Sequence, residues 1–349
     1  MGTQGNVRIG FIGAGGIARQ RHLPGLKQIP GVELVAVANL HRGSAEKVAA
    51  EYGFAHVCDD WRAVIARSDV DAIFIAGPPY LHRDATLAGL AAGKHVFCQA
   101  RMARDYAEAR EMYEAARRSD VVTMLCPPPH ALTGDTFVKK LLKDGFLGQI
   151  REVHVHSLAG AFADSASPLH WRQDAYVSGF NTLNLGMLVE VLHRWVGYFG
   201  EVSAQVAYHT PRRPRVGSVQ EVPVDVADSV GVVATLRGGG MAVFHFSGAV
   251  HFGGENRIEL YGSDGTLVYP ISTHRILGAR AGDAALRPIE IPADLVREWR
   301  AEADFIDAIR TGSPVSPDFE EGLRYMEVTE AVYRSARSRK AIHLPLGDA

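Results

Sequence analysis

Apolar and polar positions follow two different rhythms along this chain. Up to about residue 125, short unbroken apolar runs alternate with helix-length stretches. Val7–Gly13, Glu33–Ala38, Asp71–Ala76, His95–Cys98 and Val121–Leu125 are the runs. Between them, residues 16–28, 44–52, 80–92 and 104–118 carry apolar side chains at helical spacing. Runs that are apolar throughout read as strands buried on both faces. Strands alternating with helices of this length predict βαβ units and a parallel sheet. From residue 150 the rhythm changes to alternation. Ile150–His156 reads as a half-exposed strand, and Val226–Val250 as two such strands in a hairpin around Gly238, Gly239 and Gly240. Arg257–Tyr261 and Thr266–Tyr269 flank a second turn at Ser263, Asp264 and Gly265. Helical patterns over 181–197 and 318–338 would cover one face of this largely antiparallel sheet.

Pro127, Pro128 and Pro129 stand where the rhythm breaks, and neither a strand nor a helix runs through three prolines. The expected division is therefore a first domain at 1–126 and a second at 127–349, with the C-terminal helix a candidate to pack back on the first. A chain of 349 residues that is 47% apolar has the material for two cores.

The formal net charge is −2, and no basic stripe is present, which excludes nucleic acid as the expected partner. Arg212, Arg213 and Arg215 read as a solvated loop. Cys58, Cys98 and Cys126 are far apart and form no CxxC pair, so neither a disulfide framework nor a zinc knot is expected, and a reducing cytoplasm fits. No basic-then-apolar leader and no membrane-length apolar run is seen.

The chemistry begins at Gly13, Ala14, Gly15, Gly16, Ile17 and Ala18, directly after the first strand. In that context a GxGxxA run is a dinucleotide cradle. Gly13 permits the tight turn, Gly15 lets the backbone approach a pyrophosphate, and Ala18 lets helix and strand pack closely. The following helix end offers free N–H groups to the phosphates. At the end of the second strand an acid would bind ribose hydroxyls. Here Asn39 stands instead, with Arg42 nearby and able to pair with a phosphate. NADP(H) is the favoured expectation and NAD(H) the other.

Further motifs follow in a recognisable order. They are Arg21–Pro24, Asp71–Pro79 followed by His82, Ala92–Cys98, Tyr261–Leu267, and Phe305–Ile309 running through Pro317 to Ser335. With them the chain resembles, over nearly its whole length, the glucose–fructose oxidoreductase, inositol dehydrogenase and rhizopine-catabolism family, written Gfo/Idh/MocA. The resemblance implies an α/β Rossmann domain followed by an α+β domain with an open-faced, mainly antiparallel sheet that covers the reactive end of the nicotinamide. It implies oxidation of a sugar or cyclitol hydroxyl, or reduction of the ketone, in a homodimer or homotetramer. It places cofactor contacts at Gly13, Gly15, Gly16, Ile17, Asn39, Arg42, Gly77, Pro78, His82 and Gln99.

Two departures matter. Where the family has Glu-Lys-Pro, this chain has Gln99, Ala100 and Arg101, and without proline no cis bond is expected there. Where the family has Asp-x-Gly-x-His, it has Asn184, Leu185, Gly186, Met187 and Leu188. An amide and an aliphatic group cannot take a proton, and arginine stays charged. The usual acid–base pair is therefore missing. The segment His170–Gly179 offers replacements, with His170 or Tyr176 to handle a proton. Arg101 and Asn184 complete the catalytic candidates. Arg101, Arg172, Asn181 and Asn184 are the substrate-binding ones, and the two arginines would suit an anionic substrate. Helical spacing places Asn181, Asn184, Leu188 and Val191 on one face, with Glu190 and His193 off it. His154 and His156 share a strand face, but no neighbouring carboxylate or cysteine completes a ligand set, so no metal is expected. The leading reading is an NAD(P)-dependent oxidoreductase acting on a small sugar-like or cyclic molecule. A redox-neutral lyase or glycosidase that borrows the cofactor, and a cofactor-binding sensor without catalysis, remain beside it.

Overall fold

The computed structural model describes residues 5–126, 132–273 and 275–347. The proline boundary at 127–129 lies outside them. The N-terminal half alternates as its pattern predicts. Strands β1 (Val7–Ile12), β2 (Val32–Ala38), β3 (His56–Val57), β4 (Ala72–Ile75), β5 (His95–Cys98) and β6 (Thr123–Leu125) are separated by α1 (Leu23–Lys27), α2 (Arg42–Tyr52), α3 (Trp61–Ile65), α4 (His82–Ala91) and α5 (Tyr106–Ala116). The strands form one parallel sheet in the order β3-β2-β1-β4-β5-β6. Val, Ile and Phe on β1 and β4 are buried on both faces, which is why their runs are unbroken. The first helix is shorter than expected. Ala18–His22 forms a π-helical turn before α1, and Pro24 has no N–H to continue the α ladder through it.

The C-terminal half contains α6 (Asp135–Lys143), β7 (Ile150–Leu158), α7 (Ala175–Ser178), α8 (Leu185–Val196), β8 (Phe199–Ala207), β9 (Arg212–Pro214), β10 (Glu221–Pro223), β11 (Ser229–Leu236), β12 (Met241–Ser247), β13 (Arg257–Gly262), β14 (Gly265–Pro270), β15 (Ile276–Arg280), β16 (Arg287–Ile289), α9 (Ala301–Thr311), α10 (Phe319–Ser338) and β17 (Ile342–His343). Nine strands form a sheet in the order β16-β15-β14-β13-β7-β12-β11-β8-β17. All its neighbours are antiparallel except β7 and β12. Burial alternates along β7 and β11, so one face is packed and the other open. The β11–β12 hairpin turns at Gly239 and Gly240, both at positive φ.

The chain divides into two compact units, Met1–Pro127 with Arg300–Leu323, and Pro128–Trp299 with Arg324–Ala349. The stretch 300–323, which a linear reading leaves in the second domain, belongs to the first unit. The reason is local. Phe305 on α9 packs edge-on against Phe74 and Phe97 of β4 and β5, at 5.4 and 5.6 Å between ring centroids. In the second unit, α6 and α8 are tied by a buried ion network. Asp135 accepts from Arg194 (2.5 Å), Arg297 (2.6 Å) and the Trp195 indole (2.7 Å), and Glu190 accepts from Arg194 (2.5 Å). Glu190 is thus a packed structural acid. His193 is buried beside Tyr198 and Phe199, and burial with nearby Arg237 and Arg324 pushes its pKa down to about 3.

The arginine run is not a uniform solvated loop. Arg212 and Arg215 are exposed, but Arg213 is 1% exposed and donates to the carbonyls of Phe162 and Asp164 (2.6 Å each) and Ser167 (3.2 Å). It pins the loop before His170 to the β9–β10 hairpin. No described helix is long and apolar enough to cross a membrane.

Candidate active site

In the first unit the cradle lies where the strand order reverses, between β1 and β4, which is where open parallel sheets bind ligands. Gly13 sits at φ +83°, and a Cβ there would lie 2.4 Å from the Gly77 nitrogen. Only glycine lets the β1 and β4 loops meet so closely. A Cβ on Gly15 or Gly16 would meet open space instead, with nothing nearer than 4.0 Å. That space is where a pyrophosphate would approach the backbone. Ile17 starts the π-helical turn. Asn39 shapes the loop, since its Oδ1 accepts from the Ala14 N–H (2.7 Å) and its amide donates to Ser44 (3.1 Å).

Arg42 is placed differently from the expectation built on it. Its exposed guanidinium pairs with Glu46 at 3.0 Å and with Asp59. Two carboxylates already neutralise the group meant for a 2′-phosphate.

His82, Gly77 and the 99–102 loop form one structure. His82 is wholly buried, one ring nitrogen facing the Gly77 carbonyl (2.8 Å) and the other those of Arg101 (2.8 Å) and Met102 (3.2 Å). Pro78 leads from Gly77 into the short helical turn before α4. The Ala100–Arg101 peptide is cis, against the expectation drawn from the missing proline. The Arg101 carbonyl that follows it faces the His82 ring, and the Arg101 side chain is buried, 4% exposed.

A buried ion pair lies beside Gln99. His22 is fully buried, its Nδ1 at 2.5 Å from Glu302 on α9 and its Nε2 at 2.8 Å from Gln99 Oε1. Burial lowers its basicity but is outweighed by the neighbouring Cys126 and Glu302, so its pKa is raised to about 10. The protonated ring donates on both sides, and Gln99 therefore presents its carbonyl to it. His22 falls within the Arg21–Pro24 motif, but Glu302 is too distant in sequence for local reading to find.

In the second unit His170, Trp171 and Asp174 line a cleft of about 580 Å³ with Val177, Arg215 and Asp225. Gln173 anchors this segment from below, donating to buried Asp228 at 3.0 Å. His170 Nδ1 accepts from the Arg172 N–H (3.2 Å), so the neutral ring carries its proton on Nε2. Arg172 stacks on Trp171 at 4.3 Å. Tyr176 is 71% exposed on α7.

Asn181 and Asn184 do not share a helix face. Leu183 lies at φ +50°, and α8 begins only at Leu185. Asn184 is exposed at the helix start, whereas Asn181 is fully buried. Asn181 Oδ1 accepts from the Gly186 N–H (3.2 Å), and its amide nitrogen has no partner among the described residues. A Cβ on Gly186 would fall 2.7 Å from that nitrogen. Leu188 and Val191 are core residues. His154 and His156 do have a carboxylate beside them, Glu259 of the neighbouring strand, which corrects the expectation that none completes a set.

The pattern of the Gfo/Idh/MocA oxidoreductases matches twice, their NAD-binding Rossmann fold over residues 7–126 and their C-terminal alpha/beta domain over residues 139–344. The chain belongs to the Gfo/Idh/MocA family. Among its relatives is the levoglucosan dehydrogenase of Pseudarthrobacter phenanthrenivorans, 27% identical, with 97% of this chain and 98% of that one covered. The inositol 2-dehydrogenase of Rhizobium meliloti is 25% identical, with 97% and 99% covered. Among solved structures, a levoglucosan dehydrogenase in complex with NADH and levoglucosan superposes with a TM-score of 0.87 at 26% identity, covering 97% of this chain and 99% of that one. This Gfo/Idh/MocA member thus carries the family's NAD-binding Rossmann fold and its C-terminal domain.

Proposed function

We propose that this protein transfers hydride between NAD(H) and a hydroxyl, or the corresponding ketone, of a small cyclic sugar-type molecule. The observation that carries the reading is the glycine cradle, with Gly13 against Gly77 and open space over Gly15, in a chain that aligns over 97% of its length with a levoglucosan dehydrogenase. The cofactor accepts or gives the hydride, and the protein supplies orientation and charge.

NAD(H) is preferred to NADP(H) in this reading because Arg42 is already paired with Glu46 and Asp59. A 2′-phosphate would have to displace one carboxylate and face both. NADH is expected to bind at least ~10-fold more tightly than NADPH, a difference of about 1.4 kcal/mol. The double variant Glu46→Gln, Asp59→Asn should narrow that gap in a fluorescence titration. NADPH binding as tightly as NADH would remove the preference.

Each unit supplies its own candidates for the chemistry. Arg101 stabilises negative charge developing on the reacting oxygen, in place of the family's lysine, without acting as a base. His170, whose Nε2 is a donor, hydrogen-bonds a substrate oxygen in the cleft of the second unit. His170→Ala should lower kcat/KM by about 10²–10³-fold, the usual effect of losing one such donor. The affinity for NADH should stay as it was. Unchanged turnover in His170→Ala would transfer the role to Tyr176, and a Tyr176→Phe comparison reads that directly.

A further inference from the structure

We propose that the open face of the nine-stranded sheet binds a divalent transition metal of the zinc class through His154, His156 and Glu259. His154 and His156 are two residues apart on β7 and so share a face. The register of β13 on β7 places Glu259 opposite His154 and Arg257 opposite His156. Glu259 Oε2 lies 3.8 Å from His154 Nδ1 and 3.8 Å from His156 Nε2. All three donor atoms fall within 4.8 Å of one another. Ligands at about 2.0–2.1 Å from a tetrahedral zinc stand roughly 3.3 Å apart, so side-chain rotation closes the set. Two imidazoles and a carboxylate with an open fourth position form a ligand set that zinc commonly takes.

The surroundings are those of a ligand shell. His154 Nε2 is 3.2 Å from Glu152 Oε2, so that carboxylate takes the ring N–H and leaves the Nδ1 lone pair turned toward Glu259. A carboxylate behind a ligating histidine fixes its tautomer and strengthens it as a ligand. Arg257 Nε donates to Glu259 Oε1 at 2.7 Å, which orients the carboxylate and leaves Oε2 for the two rings. The positive charge of Arg257 opposes a dication, and Glu152 and Glu259 together more than offset it. His245 stands opposite His156 on β12, the neighbour in register for a fourth ligand.

The test uses full-length protein stripped with a chelator, then titrated with Zn²⁺ by equilibrium dialysis and with Co²⁺ by visible absorption. Saturable binding of one ion per chain is expected, with the strong visible bands of low-coordinate cobalt. His154→Ala and Glu259→Gln should each weaken binding by at least about 10-fold, and Glu152→Gln by about 10–100-fold. His251→Ala, on a separate loop, should leave it unchanged. Circular dichroism and NADH titration confirm that each variant is folded. Absence of saturable binding, or binding that keeps full affinity in His154→Ala and Glu259→Gln, would overturn the proposal.

Discussion

Glu302→Ala is expected to destabilise the first unit by about 3–5 kcal/mol, because removing one partner of a buried ion pair strands the other charge. The pair has no solvent to fall back on, with His22 at 0% and Glu302 at 2% exposure. It also carries a pH signature. His22 has an ordinary pKa of 6.5 and a folded value of about 10. Between those values the native chain holds a proton that the unfolded chain has lost. The pair's contribution is therefore complete below pH 6.5 and declines as pH rises toward 10, by about 1.4 kcal/mol per pH unit at most. Urea unfolding at pH 6 and pH 9 should show wild type losing more stability from this source than Glu302→Ala, where Cys126 alone still favours the protonated ring. Equal loss in both proteins would show that Glu302 does not hold the His22 proton. Because His22 also holds Gln99, the same variant should weaken NADH binding.

Gly15→Ala should have the second large effect, and it should be confined to the cofactor. The added methyl meets nothing closer than the Gly13 carbonyl at 4.0 Å, so stability should hold within about 0.5 kcal/mol. The methyl would stand in the space a pyrophosphate enters, and NADH affinity should fall by at least ~10–100-fold. Gly13→Ala makes the contrast. There a Cβ would strike the Gly77 backbone from a left-handed conformation, so folding and binding should fail together. If Gly15→Ala bound NADH normally, the phosphates would not lie over this loop. Fluorescence titration alongside thermal unfolding separates the two variants.

The cradle was legible because its signals are local. The strand, the glycines and the following helix are consecutive, and each residue type answers to one steric demand. The hairpins of the second sheet were legible for the same reason, through Gly239–Gly240 and Ser263–Asp264. What escaped were pairings set by the fold. Glu302 reaches His22 only because α9 returns to the first sheet. Glu259 reaches His154 and His156 only through strand register. Arg42 looked free in sequence because Asp59 lies on another segment, and Arg213 looked solvated because its three carbonyl partners lie on a loop some 50 residues earlier. The helical-wheel placement of Asn181 failed at one residue, Leu183, whose positive φ starts the helix after it.

One measurement bears most directly on the function. Purified protein is mixed with NAD and a panel of anhydrosugars, cyclitols and keto sugars, and the nicotinamide absorbance is followed beside product. NADH formed in one-to-one proportion to oxidised sugar, and lost in Gly15→Ala, is the expected result. Tight NADH binding with product but no net change in the cofactor, or with no product from any member of the panel, would contradict hydride transfer as the net reaction.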